Sequence, residues 1–266
     1  MGNDKPLTVR FRRAGQFFFP FLVIALLWEA AIRIGIIDPR VLPAPSALLK
    51  ELHLLIWEKK ALQYHLFESL CRLFCGYCLA LVVGVTIGTL LGLKRTLHEM
   101  FSPVLSLLIA VPTIAWVPVL LITMGLGNKT VITAIFLGGV FEMIYSTVAG
   151  MKAVDIKQIQ AAKSMGVRGL ALFFRVMFPA SLVYIMPAMR LSVGYCWRAL
   201  IGGEMLSAMI EWGLGKMIYE ARFWNNVTIM CIGLILVGIF GVLLDRLLLK
   251  PLEHNTLEKW GMLAER

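Results

Sequence analysis

Charged and aromatic side chains inside apolar stretches are the residues of this chain that could do chemistry. Glu142 lies in the apolar stretch 129–150, on the same side as Tyr145 and Ser146. A carboxylate within a bilayer is costly unless it is paired or hydrated, so it marks a candidate functional site. Glu142, Tyr145 and Ser146 are therefore candidates for lining a solute pathway. Pairing of Glu142 with an arginine of another helix, or a position at the headgroups, is the alternative.

The stretch 182–206 carries a second set of such residues, namely Trp197, Arg198 and Glu204. All three are candidates for the same pathway, with structural pairing between helices as the alternative. An arginine suits an anionic solute. Glu142 disfavours an anion near its own position and leaves room for a cationic or neutral heterocycle.

Prolines interrupt the stretch 101–124 and predict a bent helix. Pro112 removes a backbone donor and frees carbonyl groups that a water-filled path could use. Thr113 and Trp116 follow this bend closely and are candidates for lining it. A kinked packing helix that touches no solute is the alternative.

No known catalytic motif accompanies these residues. The sequence holds no H-E-x-x-H, no G-x-S-x-G and no G-x4-G-K-[ST], and its four histidines fall in loops or at the edges of apolar stretches. Cys71, Cys75 and Cys78 share one helical face, which favours packing against a neighbouring helix over binding of a soft metal. We expect no catalytic residue, no metal site and no cofactor in this chain.

The composition predicts the elements that position these residues. Hydrophobic residues make up 59% of the 266 residues and charged residues 16%, against about a quarter charged in soluble domains. Backbone groups inside a bilayer must satisfy their own hydrogen bonds, so the spans are helices. We expect an all-α membrane protein, a single domain over 1–266 with its core at 66–250, crossing the membrane about six times. The expected spans are about 17–37, 66–93, 101–124, 129–150, 182–206 and 226–248.

Lysine and arginine residues predict the orientation. With the N-terminus in the cytoplasm, the cytoplasmic segments hold 15 of them and the external loops 7. Basic residues concentrate in cytoplasmic loops, so both termini are expected inside. The same distribution argues against nucleic-acid binding, despite a net charge of +10. In the first external loop we expect an amphipathic helix over about 46–65, lying on the membrane surface.

A polar, basic segment, 151–181, separates two apolar spans. Ala161 and Ala162 belong to a short predicted helix, and Gly166 permits the chain to turn sharply after it. Pro179 marks the return toward the next span. From these residues alone, an amphipathic helix resting on anionic lipid is the favoured interpretation.

The same segment resembles the cytoplasmic coupling loop of ABC importer permeases, whose motif is E-A-A-x3-G-x9-I-x-L-P. Ala161, Ala162, Gly166 and Pro179 match it, and Gln160 replaces its glutamate. The isoleucine and leucine of the motif are also replaced, by Val176 and Phe178. The resemblance implies that this helix docks into a cleft of a separate ATP-binding subunit. A glutamine can hydrogen-bond there but cannot make a charge-based contact.

Five further stretches resemble the subfamily that imports sulfonates, taurine, nitrate and related small solutes. The first reads L-P-A-P and the second follows S-L-x-R-x3-G. The stretches are Leu42–Pro45, Ser69–Gly76, Val111–Gly127, Met189–Gly215 and Asp245–Trp260. Their order along the chain, with the coupling loop between them, strengthens the resemblance.

The resemblance implies the type I ABC importer permease fold, with both termini inside, in a bacterial inner membrane. It also implies two ATP-binding subunits that hold ATP and Mg²⁺, a second permease copy forming a homodimer, and an external solute-binding protein. The expected function is ATP-driven import of a sulfonate-, taurine- or nitrate-like anion. A permease for a cationic or neutral heterocycle, such as a vitamin precursor, is the first alternative, and a secondary transporter is the second.

Overall fold

The computed structural model describes residues 7–207, 209–249 and 251, and for residues 7–18, 248 and 249 it describes the backbone alone. These ranges form helices joined by loops, with no strand. The helices are α1 (Leu7–Arg33), α2 (Pro45–His53), α3 (Ala61–Leu93), α4 (Arg95–Ala110), α5 (Trp116–Met124), α6 (Asn128–Lys152), α7 (Ile156–Ser164), α8 (Gly169–Leu172), α9 (Phe178–Leu206), α10 (Leu214–Phe223) and α11 (Val227–Leu243). Short π-helical turns follow α2, α8 and α11, at Leu54–Glu58, Phe173–Met177 and Leu244–Leu249.

Glycines let α3, α6 and α9 pack closely at the centre of the molecule. A Cβ atom on Gly84 would lie 2.4 Å from Cβ of Met143, and one on Gly88 would lie 2.6 Å from Cβ of Thr147. Gly139 of α6 packs in the same way against α9. Small residues allow this close approach of helix backbones. As a result α6 is held between α3 and α9.

By length and composition, helices in the described part of the chain account for four or five membrane spans. Four are continuous, Ala61–Leu93, Asn128–Lys152, Gly169–Leu206 and Val227–Leu247. α4 together with Thr113–Met124 makes a fifth if the 86° bend between them lies within one span. The predicted first span, 17–37, overlaps α1, which begins and ends earlier than predicted.

Two predicted boundaries are wrong. The fifth span was expected to begin at 182, but α8, the π turn and α9 continue as one helical segment from Gly169. Pro179 closely follows the π turn Phe173–Met177, where the regular helical hydrogen-bond pattern is already altered, and the segment continues past it. The third span was expected to begin at 101, but α4 begins at Arg95.

The helix predicted over 46–65 is also shorter than expected. Lys60, in a left-handed conformation (φ 50°), separates the turn after α2 from the start of α3. α2 has no side-chain cap of its own at Ala44. Glu29 of α1 supplies one, since its carboxylate accepts hydrogen bonds from Ser46 N at 3.1 Å and from Ser46 Oγ at 3.0 Å. α1 is thereby tied to α2.

α7 is the short helix predicted within 151–181. The Asp155 side chain caps it by accepting a hydrogen bond from Lys157 N at 2.9 Å. Gly166 (φ +82°) and Gly169 (φ +57°) follow in left-handed conformations that glycine adopts readily. The sharp turn predicted at Gly166 is therefore confirmed, and the chain returns through α8.

Candidate functional site

A cavity of about 390 Å³ lies where α4 and α5 meet at an angle, against α6 and α9. Its wall is mainly apolar and aromatic. It brings together four of the residues predicted to line a pathway, and other residues of the wall carry aromatic rings. Its polar, charged and aromatic lining includes Thr113, Trp116, Phe141, Glu142, Tyr195 and Arg198.

The break between α4 and α5 places Thr113 and Trp116 in this cavity. Pro112 cannot donate a backbone hydrogen bond and disfavours a helical conformation of the residue before it. Val111 accordingly adopts an extended conformation, with φ −75° and ψ 119°. The predicted bend at Pro112 is confirmed, and it turns the chain by 86°.

Glu142 lies in the second half of α6, lines the cavity and is half-buried. Ser146, one turn later, donates a hydrogen bond from Oγ to Glu142 Oε1 at 2.9 Å. Glu142 Oε2 accepts no hydrogen bond from the residues that the structure describes. The carboxylate is therefore held in place while keeping free acceptor capacity.

Arg198 of α9 lines the same cavity and is exposed. Its Nε donates a hydrogen bond to Gly194 O at 3.1 Å, and its guanidinium carbon lies 4.9 Å from the centre of the Tyr195 ring. This cation–π contact and the hydrogen bond fix the side chain. Within the described ranges, neither Arg198 nor Glu142 forms an ion pair. Both charges are thus open to the cavity.

Four predicted pathway residues lie outside the wall of this cavity, namely Tyr145, Ser146, Trp197 and Glu204. Tyr145 is 56% exposed on α6. Trp197 is buried against α11, where its Nε1 donates a hydrogen bond to Val237 O at 3.2 Å. It lines a separate cavity of about 230 Å³. There Arg190 Nη2 donates to Asp245 Oδ2 at 2.7 Å, which ties α9 to the turn after α11.

Glu204 is enclosed, which corrects its prediction as a pathway residue. Its side chain is 0% exposed. Arg72 Nη1 donates to its carboxylate at 2.8 Å, Ser69 Oγ at 2.8 Å and Gly215 N at 2.9 Å. Protein groups therefore satisfy this carboxylate, and a solute would have to break their hydrogen bonds to reach it.

The carboxylate of Glu204 caps the N-terminus of α10. The first N–H groups of a helix have no partner within it. Here Leu214 N donates to Ser69 Oγ and Gly215 N to Glu204 Oε2, each at 2.9 Å. A Cβ atom on Gly213 would lie 2.6 Å from Glu204 Cδ, so only glycine leaves room there. A negative charge at this helix end is also electrostatically favourable.

Arg72 supplies the positive charge of this cluster and links it to neighbouring segments. Besides Glu204 it donates hydrogen bonds to Asn128 Oδ1 at 2.7 Å, Trp212 O at 2.7 Å and Glu68 Oε2 at 3.0 Å. The Glu68–Arg72 pair joins residues one helical turn apart in α3. Sequence reasoning missed the pair with Glu204 because its two members are 132 residues apart. Gly213 and Gly215, which leave room for the Glu204 side chain, were the sequence signal that could have indicated this cluster.

The exposure of the three cysteines on one face of α3 differs from the predicted packing. Cys71 and Cys75 are exposed and Cys78 is half-buried, so packing against a neighbouring helix of this chain is wrong for the first two. In the part of the chain that the structure describes, no group of three or more His, Cys, Asp or Glu side chains is arranged to hold a metal ion.

Comparison with known proteins shows to which protein family the chain belongs. Residues 80–249 match the family described as binding-protein-dependent transport system inner membrane component, and the chain belongs to this family. It is a multi-pass inner-membrane permease and a non-catalytic subunit of an ABC transporter. ATP binding belongs to a separate ATPase subunit, and a solute-binding protein is the other partner of such a system.

Curated relatives cover most of the chain. An ABC transporter permease protein of Methanocaldococcus jannaschii is 31% identical over 83% of this chain and 83% of its own. The nitrate import permease protein NrtB of Synechocystis sp. is 29% identical over 77% of each chain. The bicarbonate transport system permease protein CmpB of the same organism is 29% identical over 86% of this chain and 84% of its own.

The fold resembles a solved ABC transporter. A chain of the MetNI methionine ABC transporter in an inward-facing conformation superposes with a TM-score of 0.65. The match covers 74% of this chain and 97% of that chain at 19% sequence identity. The arrangement of helices described above is therefore that of an ABC importer permease.

Proposed function

We propose that this permease imports a small organic or inorganic anion and that the 390 Å³ cavity is part of its pathway. The observation that carries the proposal is Arg198, a fixed guanidinium with unused donors in a mainly apolar cavity. Guanidinium groups bind carboxylate-, phosphate- and sulfonate-like oxygens through several hydrogen bonds. Two relatives are named for nitrate and bicarbonate import, which are both anions.

The proposed assembly contains two copies of this chain as a homodimer, two ATP-binding subunits and one external binding protein, with both termini of each permease in the cytoplasm. Arg198 supports a second permease copy, since an exposed charge on a spanning helix cannot face lipid cheaply. The basic residues concentrated in 151–181 support the cytoplasmic position of α7.

Coupling is proposed to act through α7, with Gln160, Ala161, Ala162, Gly166 and Pro179 as the coupling residues. Gln160 and Ala161 are exposed and available to a partner, whereas Ala162 is buried against this chain. α7 lies between the end of α6 and the start of the helical segment that includes α9. Because α6 carries Glu142 and α9 carries Arg198, movement of α7 would reach both walls of the cavity.

A cationic or neutral heterocycle is the second candidate solute. Glu142 favours it, because its carboxylate is open to the same cavity and keeps a free acceptor. Trp116 and Phe141 offer ring faces for stacking. The role of Arg198 decides between the two solute classes.

The test is Arg198→Gln in the transporter assembled with its ATPase and binding protein in liposomes. We expect import of an anionic solute to fall by about tenfold or more, since a charge-assisted contact is lost. Arg198→Lys keeps the charge and retains part of the activity. Arg95→Gln is the matched control, because Arg95 is exposed and pairs with Glu99 outside the cavity. Unchanged import by Arg198→Gln would contradict the proposal.

A further inference from the structure

We propose that the cavity of about 230 Å³ beside Trp197 is a second anion subsite, in which Arg190 supplies the donors and Asp245 takes the place of the anion when no solute is bound. In the proposed topology this subsite lies nearer the cytoplasm than the cavity at the bend. The inference rests on the proposed function, import of an anion, and adds a site through which that anion leaves the first cavity.

The first argument is that the Arg190 side chain already binds an oxyanion. Its Nε donates a hydrogen bond to Asp245 Oδ1 at 2.5 Å, and its Nη2 donates one to Asp245 Oδ2 at 2.7 Å. Two parallel hydrogen bonds from one guanidinium group are the geometry in which arginine binds carboxylates and similar oxyanions. Asp245 therefore shows which ligand chemistry this site accepts.

The second argument is that this ion pair is open to exchange. The side chains of Arg190 and Asp245 are 37% and 38% exposed, whereas those of Arg72 and Glu204 are 5% and 0% exposed. A half-exposed ion pair contributes little to stability because water competes for both charges, while a buried pair is costly to break. An arriving anion can therefore displace the Asp245 carboxylate without unfolding the protein.

The third argument is that Arg198 connects the two cavities. It lines both the cavity at the bend and the cavity that contains Arg190. The two arginines are eight residues apart on α9, about 12 Å along the helix axis. Gly194 lies between them in the wall and has no side chain to separate them. An anion on Arg198 thus has a second guanidinium group close by on the same helix.

The fourth argument is the size and charge of the cavity. One water molecule takes about 30 Å³ in the liquid, so about 230 Å³ suffices for a small anion with part of its water. Among the described residues, the wall carries the guanidinium groups of Arg190 and Arg198 and the carboxylate of Asp245. The excess of positive charge attracts an anion. The return of Asp245 to Arg190 then displaces it, so the subsite binds the anion briefly.

The experiment uses nitrate as the probe and the purified permease–ATPase complex as the sample. Nitrate quenches tryptophan fluorescence when it contacts the indole ring, and Trp197 lines the proposed subsite. Each variant is titrated with and without the additional substitution Trp197→Phe, and the difference between the two quenching curves is the signal of Trp197. We expect this difference to saturate with nitrate concentration in the otherwise wild-type complex.

The two partners of the ion pair should shift the half-saturation concentration in opposite directions. In Asp245→Asn it falls about three- to fivefold, the factor that a half-exposed ion pair is worth, because the internal competitor is lost. In Arg190→Gln it rises about tenfold or more, because the donors are lost. Both substitutions break the same ion pair, so loss of the pair alone cannot produce both results.

Glu99→Gln and Arg95→Gln are the matched controls, because these residues form an exposed ion pair on α4 outside both cavities. Both should leave the half-saturation concentration unchanged. The inference is overturned if the Trp197 signal does not saturate in the wild type or in Asp245→Asn. It is also overturned if Asp245→Asn and Arg190→Gln shift half-saturation in the same direction or not at all. The proposed function fails separately, if Arg198→Gln leaves anion import unchanged, because this titration measures no import.

Discussion

At the scale of residues, two carboxylates of this chain show how surroundings decide a role. Glu204 accepts hydrogen bonds from Arg72, Ser69 and Gly215 and is 0% exposed. Glu142 accepts one hydrogen bond, from Ser146, and lines an open cavity. A satisfied buried group stabilises a structure, while an incompletely satisfied one in a cavity can bind a ligand.

Glu204→Gln should destabilise the permease strongly. The substitution leaves the buried charge of Arg72 without its closest counter-charge, and breaking such a pair costs about 3–5 kcal/mol. Thermal or denaturant unfolding in detergent measures the effect. Glu68→Gln is the control, because that carboxylate is 39% exposed and its loss should cost about 1 kcal/mol or less. Equal stability of the two variants would refute the assigned role of Glu204.

At the scale of elements, the glycines of α3 set its distance from α6. The backbones approach so closely that a methyl group on Gly84 overlaps the Cβ atom of Met143. A Cβ atom cannot swing aside like the end of a long side chain, so the helices themselves would have to separate. Such a shift would also disturb α9, which packs on the other side of α6, and hence both walls of the cavity.

Gly84→Ala should therefore lower the free energy of unfolding by about 1–3 kcal/mol, the usual cost of overpacking. Gly238→Ala in α11 is the matched control, since no atom lies within 4 Å of its added methyl group among the described residues. That control should be neutral or stabilising, because alanine favours a helix by about 0.5–1 kcal/mol over glycine. A melting temperature of Gly84→Ala equal to that of the wild type would show that the helices separate at no cost.

Elements with local signals could be predicted from the sequence, and those set by distant contacts could not. Pro112 predicted the bend and Gly166 the turn, since each acts on its own backbone. The continuation of α8 into α9 escaped prediction because proline usually ends a helix, whereas here Pro179 follows a π turn that joins the two helices. The cap of α10 escaped it because Ser69 is 135 residues from Glu204.

At the scale of the whole molecule, the permease depends on a separate ATPase subunit, and we propose that this subunit contacts it through a small surface. α7 is that surface in our proposal, and its Asp155 cap and the left-handed Gly166 define its two ends. Defined ends matter for coupling because a frayed helix would absorb movement of the ATPase without passing it to α6 and α9.

Gly166→Val should uncouple the transporter. A β-branched residue is strained at φ +82°, so the turn after α7 would rearrange. We expect solute-stimulated ATP hydrolysis and import to fall about tenfold or more in the assembled complex. Gly166→Asn is the matched control, because asparagine tolerates left-handed conformations and should retain most activity. If the Gly166→Val and Gly166→Asn variants have the same ATPase and import activities, the geometry of this turn plays no part in coupling.

The double pairing of Arg72 has a consequence for biosynthesis. The chain is made from its N-terminus, so α3 enters the bilayer long before Glu204, 132 residues later, has left the ribosome. Glu68 lies one helical turn before Arg72 and pairs with it at 3.0 Å, and such a contact can form as soon as α3 coils. We therefore expect Glu68 to balance the positive charge of Arg72 within α3 until Glu204 has been synthesised.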